Sequence, residues 1–174
     1  IPRNHTSEKG GPQIALTVNR LVFSQQITAL EAYLGDTLLK AVTEDADALQ
    51  RLIERDKDLA KEKFILAAIH KEPGLVGRKV REHLRAILYH NLPKVDALYN
   101  IALGIRILNL TADKESILKA VKLRHDCVHR NGFDKDDNEL TMFTKLFVRE
   151  TADHIRSFVE NIENAVRQHR CPNV

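Results

Sequence analysis

One short stretch of the chain combines the side chains that most often handle protons and phosphate groups. It spans residues 124–132 and reads RHDCVHRNG. An imidazole that titrates near neutrality can accept or donate a proton, and a guanidinium can neutralise charge on a phosphoryl group. Cleavage of RNA by its own 2′-hydroxyl needs both of these functions. The stretch is therefore the first candidate for a functional site.

Helical periodicity places this stretch at the end of a predicted helix over residues 114–130. Thr111 and Asp113 are candidate N-terminal caps, and the Asn131-Gly132 pair suits the left-handed conformation at a helix C-terminus. At ~100° per residue, Arg124 falls within the apolar arc of the helix. Such an arginine needs an anionic partner or a water-filled cleft, because an unpaired buried charge is costly. The alternatives are an ion pair with a neighbouring glutamate and an aliphatic stem that reaches solvent.

The two histidines lie on the same part of the predicted helix. His125 falls within the apolar arc at ~80° and His129 at its edge at ~120°, so both are expected to border one cavity with Arg124. Asp126 and Arg130 are expected on the polar side. Taken singly, each histidine is more often an ordinary polar side chain.

Two metal sites are weighed from spacing. His125 and His129 are four residues apart, as in helical zinc motifs, but Asp126 stands where such a motif has glutamate and no third ligand is evident. The acidic loop 134–138 begins like a calcium loop, yet Glu139 and Lys145 occupy positions that need glycine and glutamate. We therefore expect no metal and no cofactor, and interpret the loop as a solvated turn that caps the last helix.

The rest of the chain predicts an all-α helical bundle of five to six helices. The 174 residues fit one domain, 43% of them are hydrophobic, and the apolar residues recur at helical spacing. Residues 1–12 are expected to form a flexible arm and residues 13–170 a single helical domain. One charged helix is predicted over residues 45–70, and the last helix over residues 138–169.

Composition predicts a soluble, cytoplasmic protein. No apolar run approaches the ~20 residues that cross a bilayer. The two cysteines, Cys127 and Cys171, form no metal-binding or redox motif.

The chain resembles the HEPN superfamily, which carries an Rx4-6H motif. Here Arg124 is followed by four residues and then by His129, on the penultimate helix of a small bundle. The segment Leu30–Asp36, which reads LEAYLGD, resembles the first helix of that family, so the resemblance extends from about residue 13 to 169. It implies a metal-independent endoribonuclease that leaves 2′,3′-cyclic phosphate ends. Many such proteins are toxins or phage-defence effectors, and they commonly act as homodimers with a composite cleft.

The resemblance implies catalytic roles for Arg124, at the scissile phosphate, and for His129, as general acid/base or at the 2′-hydroxyl. His125 would support the site, with Asp126, Arg130 and Asn131 as weaker supporting candidates. RNA, a second copy of the chain and an antitoxin or partner subunit are the expected partners, and no membrane is expected. The alternatives are a non-catalytic dimer that binds a nucleotide or a partner, and a protein that transfers or senses nucleotides together with a partner enzyme.

Overall fold

The computed structural model describes residues 11–170 and confirms the all-α class. Apart from one isolated bridge between Phe133 and Glu139, residues 11–170 contain no β structure. The helices are α1 (Gly11–Glu44), α2 (Ala46–Arg55), α3 (Leu66–Lys71), α4 (Leu75–Ala86), α5 (Leu92–Leu103), α6 (Lys114–His129) and α7 (Lys145–Arg170), with 3₁₀ turns at Leu59–Lys61 and Ile107–Asn109. The seven α-helices of residues 11–170 exceed the five to six that the sequence predicts.

The additional helix arises because the prediction of one continuous helix over residues 45–70 is wrong: α2 and α3 occupy this range, with a 3₁₀ turn between them. Helix α2 begins after Asp45, whose carboxylate accepts hydrogen bonds from the amides of Asp47 and Ala48, and it ends at Arg55. The carboxylate of Asp56 then accepts the amides of Asp58 and Leu59, at 3.1 and 3.0 Å. Aspartate commonly redirects the backbone in this way, because its side chain competes for amides that a continuing helix would use.

The predicted start of the last helix, near residue 138, is also wrong. Helix α7 begins at Lys145, where the hydroxyl of Thr144 accepts the amide of Phe147 at 3.1 Å. The acidic loop does not cap this helix. It closes on itself, since Asp134 accepts the amides of Asp136 and Asn138 at 2.8 and 2.9 Å.

Residues 11–29 and 115–157 belong to one compact unit, which contains nearly all of α6. Phe23 of α1 lies 5.1 Å from Phe143 and 5.6 Å from Phe147, measured between ring centroids. The side-chain amide of Asn19 donates to the carbonyl of Phe143 at 2.8 Å, and that of Gln26 donates to the carbonyl of Val148 at 3.3 Å. Aromatic packing and these amide bonds therefore hold α1 against the segment that leads into α7.

Residues 30–114 and 158–170 belong to the other unit, in which seven of the twelve residues of α5 are buried. The hydroxyl of the buried Tyr99 donates to the carbonyl of Leu34 at 2.8 Å. Arg51 donates to the carbonyl of Ala102 at 2.9 Å, which ties α2 to the end of α5. Tyr33 donates to the carboxylate of Glu163 at 2.8 Å. These hydrogen bonds satisfy the hydroxyl of Tyr99 inside the core and tie neighbouring helices of the unit together.

Residues 1–10 of the predicted arm lie outside the described residues, and Gly11 and Pro12 belong to α1. Whether residues 13–170 form a single domain stays a prediction. Among the described residues, no helix has the length and apolar character needed to cross a bilayer.

Candidate active site at the end of helix α6

Helix α6 carries the candidate residues on its last two turns. It starts at Lys114, after a turn in which the hydroxyl of Thr111 accepts the amide of Asp113 at 3.3 Å. Glu115 lies in the first turn, where a negative charge is favoured by the helix dipole. The predicted start of this helix is therefore confirmed to the residue, and its end lies one residue earlier than predicted.

Arg124 lies on the packed side of α6. Its side chain is half-buried and its Nε is inaccessible to solvent. Ala120 and Ile117, one and two turns earlier on the same side, are buried. The helical wheel thus predicts correctly that this arginine lies among apolar residues. Because the side chain is partly buried, the guanidinium has fewer accessible orientations than that of a fully solvated arginine.

The two histidines lie on the solvent side and contact each other. His125 and His129 are both exposed, and their ring centroids are 4.5 Å apart with 44° between the ring planes. The structure does not bury His125 as the wheel predicts, and Val128, one turn later, is itself 51% exposed. Both imidazoles are accessible for proton transfer to or from a bound molecule.

Asp126 is a second residue whose predicted position is wrong. It is expected on the polar side, but only 8% of it is exposed, because the buried face of α6 is centred nearer Ala120 than Val121. Its carboxylate accepts a hydrogen bond from Arg130, one turn later. Asp126 therefore positions Arg130 and not a histidine in this structure. The Arg130 side chain remains 43% exposed and so presents part of its guanidinium to solvent.

The helix ends as predicted, in a left-handed turn. Asn131 and Gly132 have φ values of 51° and 84°, and the amides of Arg130 and Gly132 both donate to the carbonyl of Asp126. The close approach of Arg20 adds a second constraint. A Cβ on Gly132 would lie 1.8 Å from Nη1 of Arg20, so only glycine fits here without movement.

Arg20 is the residue that sequence reasoning missed. It belongs to α1, is only 8% exposed, and donates from Nη1 to the carbonyl of Asn131 at 2.8 Å. The contact joins residues 111 positions apart, so no local spacing indicates it. Arg20 also borders an open depression of about 350 Å³, together with Thr17, Leu21, Ser24, Cys127, Val128 and Asn131. It therefore fixes the end of α6 and forms part of the adjoining surface.

The metal sites considered above do not form at this end of α6. Asp126 points to Arg130, and among residues 11–170 the histidine pair has no third metal-binding side chain within reach. In the acidic loop, backbone and side-chain hydrogen bonds from Asn138 hold the pKa of Asp134 below its usual value. That carboxylate therefore stabilises the turn over residues 134–138.

Comparisons of the chain with family models, with curated proteins and with solved structures found no match.

Proposed function

We propose that the chain is a metal-independent endoribonuclease that acts as a homodimer, with Arg124 and His129 as its catalytic residues. The observation that carries the proposal is the arrangement on the last two turns of α6. A half-buried guanidinium is followed there by two exposed, adjacent imidazoles and a partly exposed second guanidinium. These groups match the needs of phosphodiester cleavage without a metal ion.

In the proposed reaction, the ribose 2′-oxygen attacks the neighbouring phosphorus atom. His129 takes the 2′-hydroxyl proton, the new bond closes a 2′,3′-cyclic phosphate, and the bond from phosphorus to the 5′-oxygen breaks. The departing 5′-oxygen receives a proton and becomes a hydroxyl. Arg124 stabilises the charge that develops on the phosphoryl oxygens, a role suited to its bidentate donors.

A second copy of the chain would resolve a geometric difficulty. Arg124 and His129 are separated by ~140° around the helix, so one helix cannot direct both at the same atom. Ile14, Val18 and Leu21 of α1 are 65%, 49% and 66% exposed and follow helical spacing along one face. With Val128 they offer an apolar surface beside the candidate site, and a two-fold axis there would bring two copies of α6 together.

The test is cleavage of a mixed RNA pool by the purified protein in the presence of EDTA. Arg124→Ala and His129→Ala are each expected to lower the rate by about 100-fold or more, as loss of a charge-stabilising or proton-transferring group does. Lys122→Ala is the matched control, because it removes an exposed positive charge from the same helix. Equal rates in all four proteins would contradict the assignment.

Mixing the two inactive variants tests the composite site. If each site takes Arg124 from one copy and His129 from the other, a mixed dimer of Arg124→Ala and His129→Ala contains one complete site. Activity should then return on mixing. A mixture that remains as inactive as its components, while size measurements show a dimer, would show that each site takes both residues from one copy.

The resemblance further supports a role as a toxin or phage-defence effector in the cytoplasm, restrained by an antitoxin or partner subunit. The exposed apolar residues of α1 also favour a second function, that of a non-catalytic module which binds a nucleotide or a protein partner. Binding of RNA or nucleotide without cleavage, lost in Arg124→Ala but retained in His129→Ala, would favour this second function.

A further inference from the structure

A second cluster of chemically active side chains lies where α2 ends and faces α4. Asp56, Asp58 and His83 each offer one ligand atom, and these atoms lie within 4.8 Å of one another. In the part of the chain that the structure describes, it is the one group of three such residues. All three belong to the unit formed by residues 30–114 and 158–170.

The environment of the His83 imidazole indicates that this cluster binds a ligand. Its Nε2 is inaccessible to solvent and has no hydrogen-bond partner among the described residues. It lies 3.3 Å from Oδ1 of Asp56, within ion-pair distance but without the alignment of a hydrogen bond. A buried nitrogen without a hydrogen bond costs free energy, and a metal ion held between Nε2 and the Asp56 carboxylate would remove that cost.

The separation itself fits a shared metal ion. Zinc binds nitrogen at about 2.0–2.1 Å and carboxylate oxygen at about 2.0–2.2 Å, so two ligands at the tetrahedral angle lie about 3.3 Å apart. The 3.3 Å from His83 Nε2 to Asp56 Oδ1 therefore places the Asp56 carboxylate within reach of an ion bound to that nitrogen. A nitrogen donor beside two carboxylates also suits zinc better than calcium or magnesium, which prefer oxygen ligands alone.

Two of the three ligands, Asp56 and His83, are largely buried, whereas the third, Asp58, is free to rotate. The Asp56 side chain is 9% exposed and is held by the amides of Asp58 and Leu59. Both amides donate to Oδ1, so Oδ2 of the same carboxylate keeps its acceptor positions for a metal ion. Asp58 has a 64% exposed side chain, which can rotate to complete the set.

We propose that Asp56, Asp58 and His83 bind a divalent transition-metal ion, for which Zn²⁺ is the probe, with water in the fourth position. The ion would tie the turn that follows α2 to α4, and its charge would offset that of the two carboxylates. The proposal assigns it a stabilising role and does not rest on the ribonuclease assignment.

The competing interpretation is a set of ion pairs without metal. Protonated His83 would then pair with Asp56, and Lys94, whose Nζ lies 4.0 Å from Asp58, would pair with that carboxylate. Zinc titration separates the two interpretations, because only a metal site binds one equivalent of zinc and is stabilised by it.

The experiment is a titration of the full chain with Zn²⁺ against a chromophoric chelator, together with thermal melting. The wild type should bind one ion, and at a zinc concentration about 100 times Kd its Tm should rise by about 5–10 °C. Asp58→Asn and His83→Gln should each weaken binding by about tenfold or more, since even loss of a second-shell partner costs that much. Asp58→Asn is the cleaner variant, because the exposed side chain is not needed for packing.

The control variant, His125→Ala/His129→Ala, removes the adjacent pair of exposed imidazoles at the end of α6. This variant should keep wild-type zinc affinity and the full rise in Tm. The proposal is overturned if the wild type binds no zinc, if Asp58→Asn and His83→Gln bind it as well as wild type, or if binding is lost in His125→Ala/His129→Ala.

Discussion

The ends of α5 and α6 are built alike and serve different purposes. Each helix contains a buried aspartate, Asp96 or Asp126, and a glycine with positive φ follows each helix, Gly104 at 70° and Gly132 at 84°. Seven of the twelve residues of α5 are buried, against five of the sixteen in α6. A left-handed glycine therefore follows a core helix in one case and a less buried helix in the other.

The partners of the two aspartates show the difference. Asp96 accepts the buried amide of Leu108 at 2.9 Å and pairs with Arg106 at 3.1 Å, so it anchors the chain that follows α5. Asp126 pairs with Arg130, which is still partly exposed. The α5 closure thus completes a core, whereas the α6 closure holds charged groups at the surface. A fixed surface arrangement of this kind is what a binding or catalytic site requires.

The largest expected effect comes from replacing the two glycines. Gly132→Ala should lower the free energy of unfolding by roughly 2 to 3 kcal/mol, from the left-handed backbone and from displacement of Arg20 off the carbonyl of Asn131. Gly104→Ala should cost only about 1 kcal/mol, because a Cβ there meets nothing within 4 Å. Denaturant titrations of both variants measure the difference.

The control for this comparison is an Arg20→Ala background. Without the guanidinium, the cost of Gly132→Ala should fall to that of Gly104→Ala, and the double-mutant cycle gives the coupling between the two residues. Equal costs for the two glycine substitutions in the wild-type background would contradict the role assigned to Arg20.

Removing the aspartate should destabilise the protein more in α5 than in α6, which is the opposite order to that of the glycines. Asp96→Ala should cost about 2 kcal/mol, because it leaves the buried amide of Leu108 without its acceptor. Asp126→Ala should cost about 1 kcal/mol or less, because water can replace the carboxylate at the partly exposed Arg130. Asp96→Asn, which keeps an acceptor oxygen, is the matched control and should recover much of the loss. A greater cost at Asp126 than at Asp96 would mean that the α6 end carries more of the stability than its exposure indicates.

The two helix ends also show what the sequence predicts well. The Asn131-Gly132 turn and the start of α6 follow from local rules, since caps and left-handed residues depend on neighbours in the chain. The burial of Arg124 follows from its position on the helical wheel. In each case the information lies within one helix.

The features that escaped prediction depend on partners distant in the sequence or on competition between local structures. Arg20 contacts Asn131 across 111 positions, and the burial of Asp126 depends on which face of α6 meets its neighbours. Asp56 breaks the helix predicted over residues 45–70 because its carboxylate takes two amides of the following turn. Periodicity shows that a helix has an apolar face, but it does not show which polar residues the packing will enclose.

The smallest expected effect is on the reactivity of Cys127, which reports on the closure of α6. Burial raises the pKa of this thiol above its usual value, although a hydrogen bond with Ser24 acts in the other direction. The thiol should therefore stay protonated at neutral pH and react slowly with iodoacetamide, with a rate that rises at a higher pH than for a free cysteine, whose pKa is about 8.5. Measured in a Cys171→Ser background, the rate should increase severalfold in Gly132→Ala and remain unchanged in Gly104→Ala. An equal increase in both would show that the thiol senses general loosening of the fold, and an unchanged rate in both would show that Arg20 can move without opening the end of α6.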